Sequence, residues 1–175
     1  MTARPILCAA CLAVAIAPAI AAAYTISDPL AAAPKALRVT VSLPEGIGIL
    51  PGSAALHVSV TNPKTAEMRA STDGLTEIGA TNGAHALALA KPAEADFANL
   101  EKTVADWRRA NAAPAAQIDV TFTPCRTTEK AAAGGTISVA LQPDERAPRL
   151  VLVPPGTLLS DYLGDAAARI VACPK

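Results

Sequence analysis

Residues 37–43 run Leu37-Arg38-Val39-Thr40-Val41-Ser42-Leu43, and residues 56–61 run Leu56-His57-Val58-Ser59-Val60-Thr61. In both stretches aliphatic and polar side chains alternate one for one. A period of two sends every second residue to one face of an extended chain, so each stretch reads as a strand with a buried aliphatic face and a polar outer face. Pro44-Glu45-Gly46 stops the first and Asn62-Pro63 the second. The pattern returns further along. Ile118, Val120 and Phe122 alternate with Asp119, Thr121 and Thr123, and Ile137, Val139 and Leu141 follow Gly134-Gly135. Pro143 to Arg146 reads as a hairpin connection to Leu150–Val153, which Pro154-Pro155-Gly156 ends. Between Pro63 and Ala90 the alternation weakens. There Asp73-Gly74 reads as a hairpin turn, with short strands at Leu75–Ile78 and His85–Leu89. Ser160 to Leu163 fits a helical turn, and residues 167–173 fit a strand or a short helix equally well.

One segment follows a different period. Ala93, Phe97, Leu100, Val104 and Trp107 recur at spacings of four, three, four and three, a single apolar stripe on a helix. Pro92 suits its first turn, Glu94 and Asp96 suit its positive end, and Arg108 and Arg109 its negative end. Lys102 and Asp106 stand at pairing distance, i and i+4. Two of the five aromatic residues lie on this stripe, so the helix is expected to pack on a sheet. The fold class is therefore mainly β. We expect one β-sandwich-like (or α+β) domain, residues 36–175, of about seven or eight short antiparallel strands with one amphipathic helix packed on the sheet. A doubly wound parallel sheet is disfavoured, because helices do not alternate with strands.

The first residues read as a cleavable secretory signal peptide, residues 1–23. Arg4 supplies a short positive region, Ile6 to Ile20 carry no charge, and Ala21-Ala22-Ala23 offers small residues for cleavage before Tyr24. Residues 24–35 then read as a flexible leader. An uncleaved anchor needs about 18 apolar residues, which this stretch approaches, but an anchor has no use for the alanine site. Cys8 and Cys11 precede most of the apolar core, which argues against lipid attachment. The expected location is periplasmic or secreted, with no membrane association after cleavage.

The remaining chain of about 150 residues has the size of one domain and buries roughly 70% of its unfolded surface. The whole chain carries 15 basic and 15 acidic residues. Losing Arg4 leaves one acid in excess, so no field draws nucleic acid or an anionic surface. Aromatic residues make up 3% of the chain (Tyr24, Phe97, Trp107, Phe122 and Tyr162), too few for a stacking platform. Cys125 and Cys173 are the cysteines left after cleavage. In a chain bound for an oxidising compartment they read as one disulfide closing a loop of about 50 residues.

Motifs for chemistry are sparse. Gly46-Ile47-Gly48-Ile49-Leu50-Pro51-Gly52 has Pro51 where a dinucleotide loop needs its last glycine, and no helix follows, so it reads as a bent loop between strands. His57 and His85 lack any metal-ligand spacing, and each reads as a solvated surface residue. There is no Gly-x-Ser-x-Gly elbow and no Ser-x-x-Lys pair. The acidic pairs Asp161 with Asp165 and Asp144 with Glu145 read as turn residues rather than as an acid and a base. No catalytic residue, cofactor site or metal site is assigned. The expected function is a non-catalytic exported domain that binds another exported or envelope protein, through strand edges able to accept a partner strand. The alternatives are a small periplasmic hydrolase whose residues converge from loops, or a metal carrier using His57 and His85.

Overall fold

The computed structural model describes residue 30, residues 33–129 and residues 134–174. The proposed signal peptide, with Arg4, Cys8 and Cys11, and most of the leader lie outside these. Leu30, within that leader, is buried in the core, and a 3₁₀ turn follows at Pro34–Ala36.

The alternating stretches form strands as expected. They are β1 (Arg38–Ser42), β3 (Ala55–Thr61), β5 (Ala84–Leu89), β6 (Ala115–Thr121) and β8 (Thr136–Gln142), with the longer β4 (Met68–Thr81) and β9 (Leu150–Leu158). These seven make one antiparallel sheet in the order β6-β3-β4-β5-β1-β8-β9. Its two outer strands, β6 and β9, approach each other, so the sheet curls nearly into a barrel. Short β2 (Ile47–Ile49), β7 (Pro124–Arg126) and β10 (Val171–Ala172) form a second sheet in the order β10-β7-β2. In it β2 and β7 run antiparallel, and β10 lies parallel to β7.

Register explains the core. β1 sits between β5 and β8, so Val39 faces Leu87 on one side and Leu141 on the other. All three are essentially inaccessible to solvent, as are Leu56, Val60, Phe97 and Leu159. Each aliphatic buried this way stabilises the fold by about 1.5–3 kcal/mol relative to exposure. The helix α1 (Lys91–Arg109) buries the expected stripe of Ala93, Phe97, Leu100, Val104 and Trp107. It ends in a Schellman arrangement: Ala112 N–H donates to the Trp107 carbonyl and Asn111 N–H to that of Arg108, with Asn111 at φ 56°. Asp106 pairs with Arg109 across one turn of the helix.

Three local expectations are corrected, and one left open is decided. Asp73-Gly74 is no turn but the middle of β4. Met68–Gly74 pairs with β3 and Leu75–Thr81 pairs with β5, so the strand changes partners there. Glycine tolerates the bend, and the Gly74 carbonyl accepts a hydrogen bond from Ala90 N–H at 2.8 Å. The real hairpin turns lie at Asn62–Glu67 and at Asn82-Gly83, whose φ values of 49° and 77° suit a type I′ turn. At Gly83 an added Cβ would meet the Leu43 carbonyl oxygen at 2.6 Å.

Gly46–Gly52 is not merely a loop, since it contains β2, whose three residues are all buried. β9 runs through Pro154-Pro155-Gly156 with two register shifts against β8. Prolines are tolerated there because an edge strand owes no N–H to a second neighbour. Residues 167–173 are partly a 3₁₀ turn (Gly164–Arg169) and partly β10. Parallel pairing to β7, with Cys173 N–H donating to the Arg126 carbonyl at 2.8 Å, makes the end a strand.

Candidate functional site at an open strand edge

The two histidines occupy opposite environments. His57 lies on the outer face of β3, where Nδ1 is 3.1 Å from Thr72 Oγ1 and Nε2 is 2.7 Å from Thr121 Oγ1. The ring therefore staples β4, β3 and β6 together. His85 was expected at the surface but is only 8% exposed. It has the same parity in β5 as Leu87 and Leu89 and so faces inward. Its Nδ1 lies 3.3 Å from Glu77 Oε2, out of line for a hydrogen bond. His57 stands opposite Thr72 and His85 opposite Ala80 along β4, so the fold does not bring the two rings to a common ligand. Among the described residues no group of three or more His, Cys, Asp or Glu is placed to hold a metal ion.

The acidic pairs sit in local structure. Asp144 Oδ1 accepts hydrogen bonds from the N–H groups of Arg146 and Ala147, which shapes the β8–β9 connection. Asp161 opens the short helix α2 (Leu159–Leu163), and Asp165 lies in the 3₁₀ turn beyond it. Cys125 and Cys173 are at disulfide bonding distance, Sγ to Sγ 2.05 Å, with Cα atoms 4.9 Å apart. The pair ties β10 to β7 and holds the chain end against the buried side of the small sheet.

A site that sequence reading did not locate emerges where β4 changes partners. Up to Gly74, β4 is paired on its β3 side alone. Antiparallel ladders alternate the direction of successive backbone groups. Leu75 N–H donates toward β3, to the Ala54 carbonyl, whereas the Gly74 carbonyl faces the other way, to Ala90 N–H. Counting back by twos, Ala70 and Thr72 direct their N–H and C=O groups away from β3. They open onto a groove of about 420 Å³ between the strand and α1. Arg69, Ala70, Ser71 and Thr72 form one wall, and Asp96, Asn99, Leu100 and Thr103 form the other. The helix residues are spaced three, one and three apart, which is one face of α1 lying along the strand.

Beneath that groove is a buried acid. Asp73 is 1% exposed, on the inward face of β4 with Ser71 and Leu75. Ser71 Oγ donates to its Oδ2, while Oδ1 has no hydrogen-bond partner. Burial pushes the Asp73 carboxyl above its ordinary value of 3.8; the Ser71 hydrogen bond opposes that rise, Asp96 adds to it, and His57 opposes it. The signal that points to this site is Asn82-Gly83. Once that dipeptide is taken as the hairpin turn, Asp73 falls inside a strand, where a carboxylate facing a core is unusual.

At the far side of the sheet the edge of β6 is capped at Val120. Val120 N–H donates to Asp119 Oδ1 at 2.8 Å, and the Val120 carbonyl accepts from Tyr162 Oη at 2.8 Å. The Tyr162 ring stacks on Phe122 with centroids 5.9 Å apart. Burial raises the Tyr162 phenol above its ordinary 10.0, and the Asp119 carboxylate adds to the rise.

No family model matches the chain, and no characterised protein or solved structure shows significant similarity to it. Among the described residues no helix is long and apolar enough to cross a membrane.

Proposed function

We propose that this chain is an exported, non-catalytic domain that captures an extended segment of another protein by adding it as a strand to β4. One observation carries the reading. The backbone groups of Ala70 and Thr72 face a groove instead of a neighbouring strand, with one face of α1 as the opposite wall. Unpaired strand edges are a liability in an isolated domain, and proteins commonly cover or bend them. An edge left open beside a helix is the arrangement in which main-chain hydrogen bonds supply affinity and flanking side chains supply selectivity. Near-zero net charge suits a protein segment better than a polyanion.

Export is part of the same proposal. It rests on the signal-peptide pattern at residues 1–23, and the paired Cys125 and Cys173 fit an oxidising periplasmic or secreted location. Mass spectrometry of the exported protein should find an N-terminus at or near Tyr24. Retention of Met1 in a membrane fraction would overturn the export reading.

The binding reading is tested by Ala70→Pro. Proline removes a donor that faces the groove and no donor owed to β3, so the fold tolerates it. A partner captured from an envelope extract should be held by the wild-type protein and lost with this variant. In the complex, hydrogen exchange should slow at Ala70 and Thr72. A partner that binds Ala70→Pro equally well, with no protection at those amides, would sink the reading.

A further inference from the structure

The groove has an electrostatic polarity. The Gly74–Ala90 hydrogen bond ties the start of α1 to the end of this half of β4. At the other end Lys64 Nζ, in the β3–β4 turn, donates to the Ala110 carbonyl just past α1. Helix and strand therefore run in opposite directions along the groove. Thr103 and Asn99 lie toward Arg69, and Asp96 lies toward Thr72 and Asp73. The cation at the first end is already matched, since Arg69 pairs with Glu67 at 2.6 Å. The acids at the second end are not. Asp96 has no ion-pair partner among the described residues. Asp73, close enough for Asp96 to act on its carboxyl, keeps one buried oxygen unpartnered. A carboxylate oxygen left without a donor in the interior is costly, and fold stability alone gives no reason to keep it.

On the reading that β4 accepts a strand, we propose that the segment it accepts carries a lysine or arginine over Ser71–Thr72, whose cation is received by Asp96 at the rim and Asp73 beneath. An added strand places alternate side chains toward the core side of the sheet. One long basic side chain reaching between Ser71 and Asp96, both of which line the groove, would meet Asp96 directly and Asp73 behind Ser71, whose Oγ donates to it. It would supply the donor that Asp73 Oδ1 lacks, in a geometry that an aliphatic or acidic side chain does not match.

The test is selection of binders from a display library of random ten-residue peptides, using the full protein. Lysine or arginine should be enriched at one position of the selected peptides. Replacing that residue by norleucine, which keeps the stem and removes the charge, should weaken binding about five-fold or more. Asp96→Asn should weaken the basic peptide by a similar factor and leave the norleucine peptide unchanged. Asp73→Asn should also narrow the difference between the two peptides. Ala70→Pro separates this inference from the reading beneath it. If Ala70→Pro abolishes binding while no basic position is enriched, or Asp96→Asn affects both peptides alike, strand addition stands and the acidic pocket falls. If Ala70→Pro leaves binding intact, or no peptide is selected, both fall together.

Discussion

The edge of β6 and the first half of β4 face the same physical problem and meet it differently. At β6 the chain caps one residue of its own edge: Asp119 takes the Val120 N–H, Tyr162 donates to the Val120 carbonyl, and α2 brings the ring that stacks on Phe122. The short β7 is also covered from within the chain, by β10 in parallel and by the Cys125–Cys173 tie. Along Met68–Gly74 the Gly74 carbonyl is taken by Ala90 N–H, while the edge groups of Ala70 and Thr72 face a groove. Helix α1 packs against β4 and leaves a groove beside Arg69–Thr72, whose strand wall is largely exposed. The wall opposite this stretch is a face of α1 carrying Asp96, Asn99, Leu100 and Thr103.

The largest expected effect comes from loosening the helix. Trp107→Ala removes the last large residue of the buried stripe and should cost about 3–5 kcal/mol in chemical denaturation. A cost under about 1 kcal/mol would mean that α1 is not held by its core face, and the groove wall would lose its physical basis. Next comes the tie at the small sheet. Cys125 and Cys173 are 48 residues apart, and on the chain-entropy account their bond contributes about 4 kcal/mol. Reduction should lower the melting temperature while peptide binding at β4, far along the chain from both cysteines, survives at temperatures where the fold persists. Two free thiols in the unreduced, unfolded protein would remove the bond from the account.

Tyr162→Phe sharpens the contrast at its closed side. It keeps the stacked ring and deletes the single hydrogen bond to Val120, so stability should fall by about 1 kcal/mol. The variant should also show a concentration-dependent tendency to associate that wild type lacks, because one carbonyl of the β6 edge is freed. Equal stability with no association would mean that this edge never needed closing.

The smallest effect concerns Asp73. Its folded carboxyl titrates above 3.8, so the native state holds the proton more tightly than the unfolded chain does. Stability therefore falls as pH rises from the ordinary carboxylate range through the folded value, and is greatest below it. Denaturation midpoints of wild type and Asp73→Asn, compared across that interval, should diverge in that sense, with wild type losing ground as pH rises. Parallel curves would show that Asp73 ionises as freely in the fold as outside it.

What was legible in the sequence is what depends on neighbours along the chain. Alternation at Leu37–Leu43 and Leu56–Thr61 specified strands and which residues face inward, because side-chain direction in a strand follows parity alone. The stripe from Ala93 to Trp107 specified the helix and its buried face for the same reason at a different period. Cys125 and Cys173 could be paired because the expected oxidising compartment and the cysteine count left few alternatives. The β4 site depends on something else. Residues 68–81 carry a weak pattern, since one half borders β3 and the other β5, and neither local period nor turn chemistry reports a change of partner. His85 shows the same limit: its parity with Leu87 and Leu89 was visible, but only the neighbouring strands decide that this parity is covered at that end of the sheet. An open edge is likewise a property of what does not lie beside a strand, and that is decided when non-local pairing places β3, β5 and α1 around it.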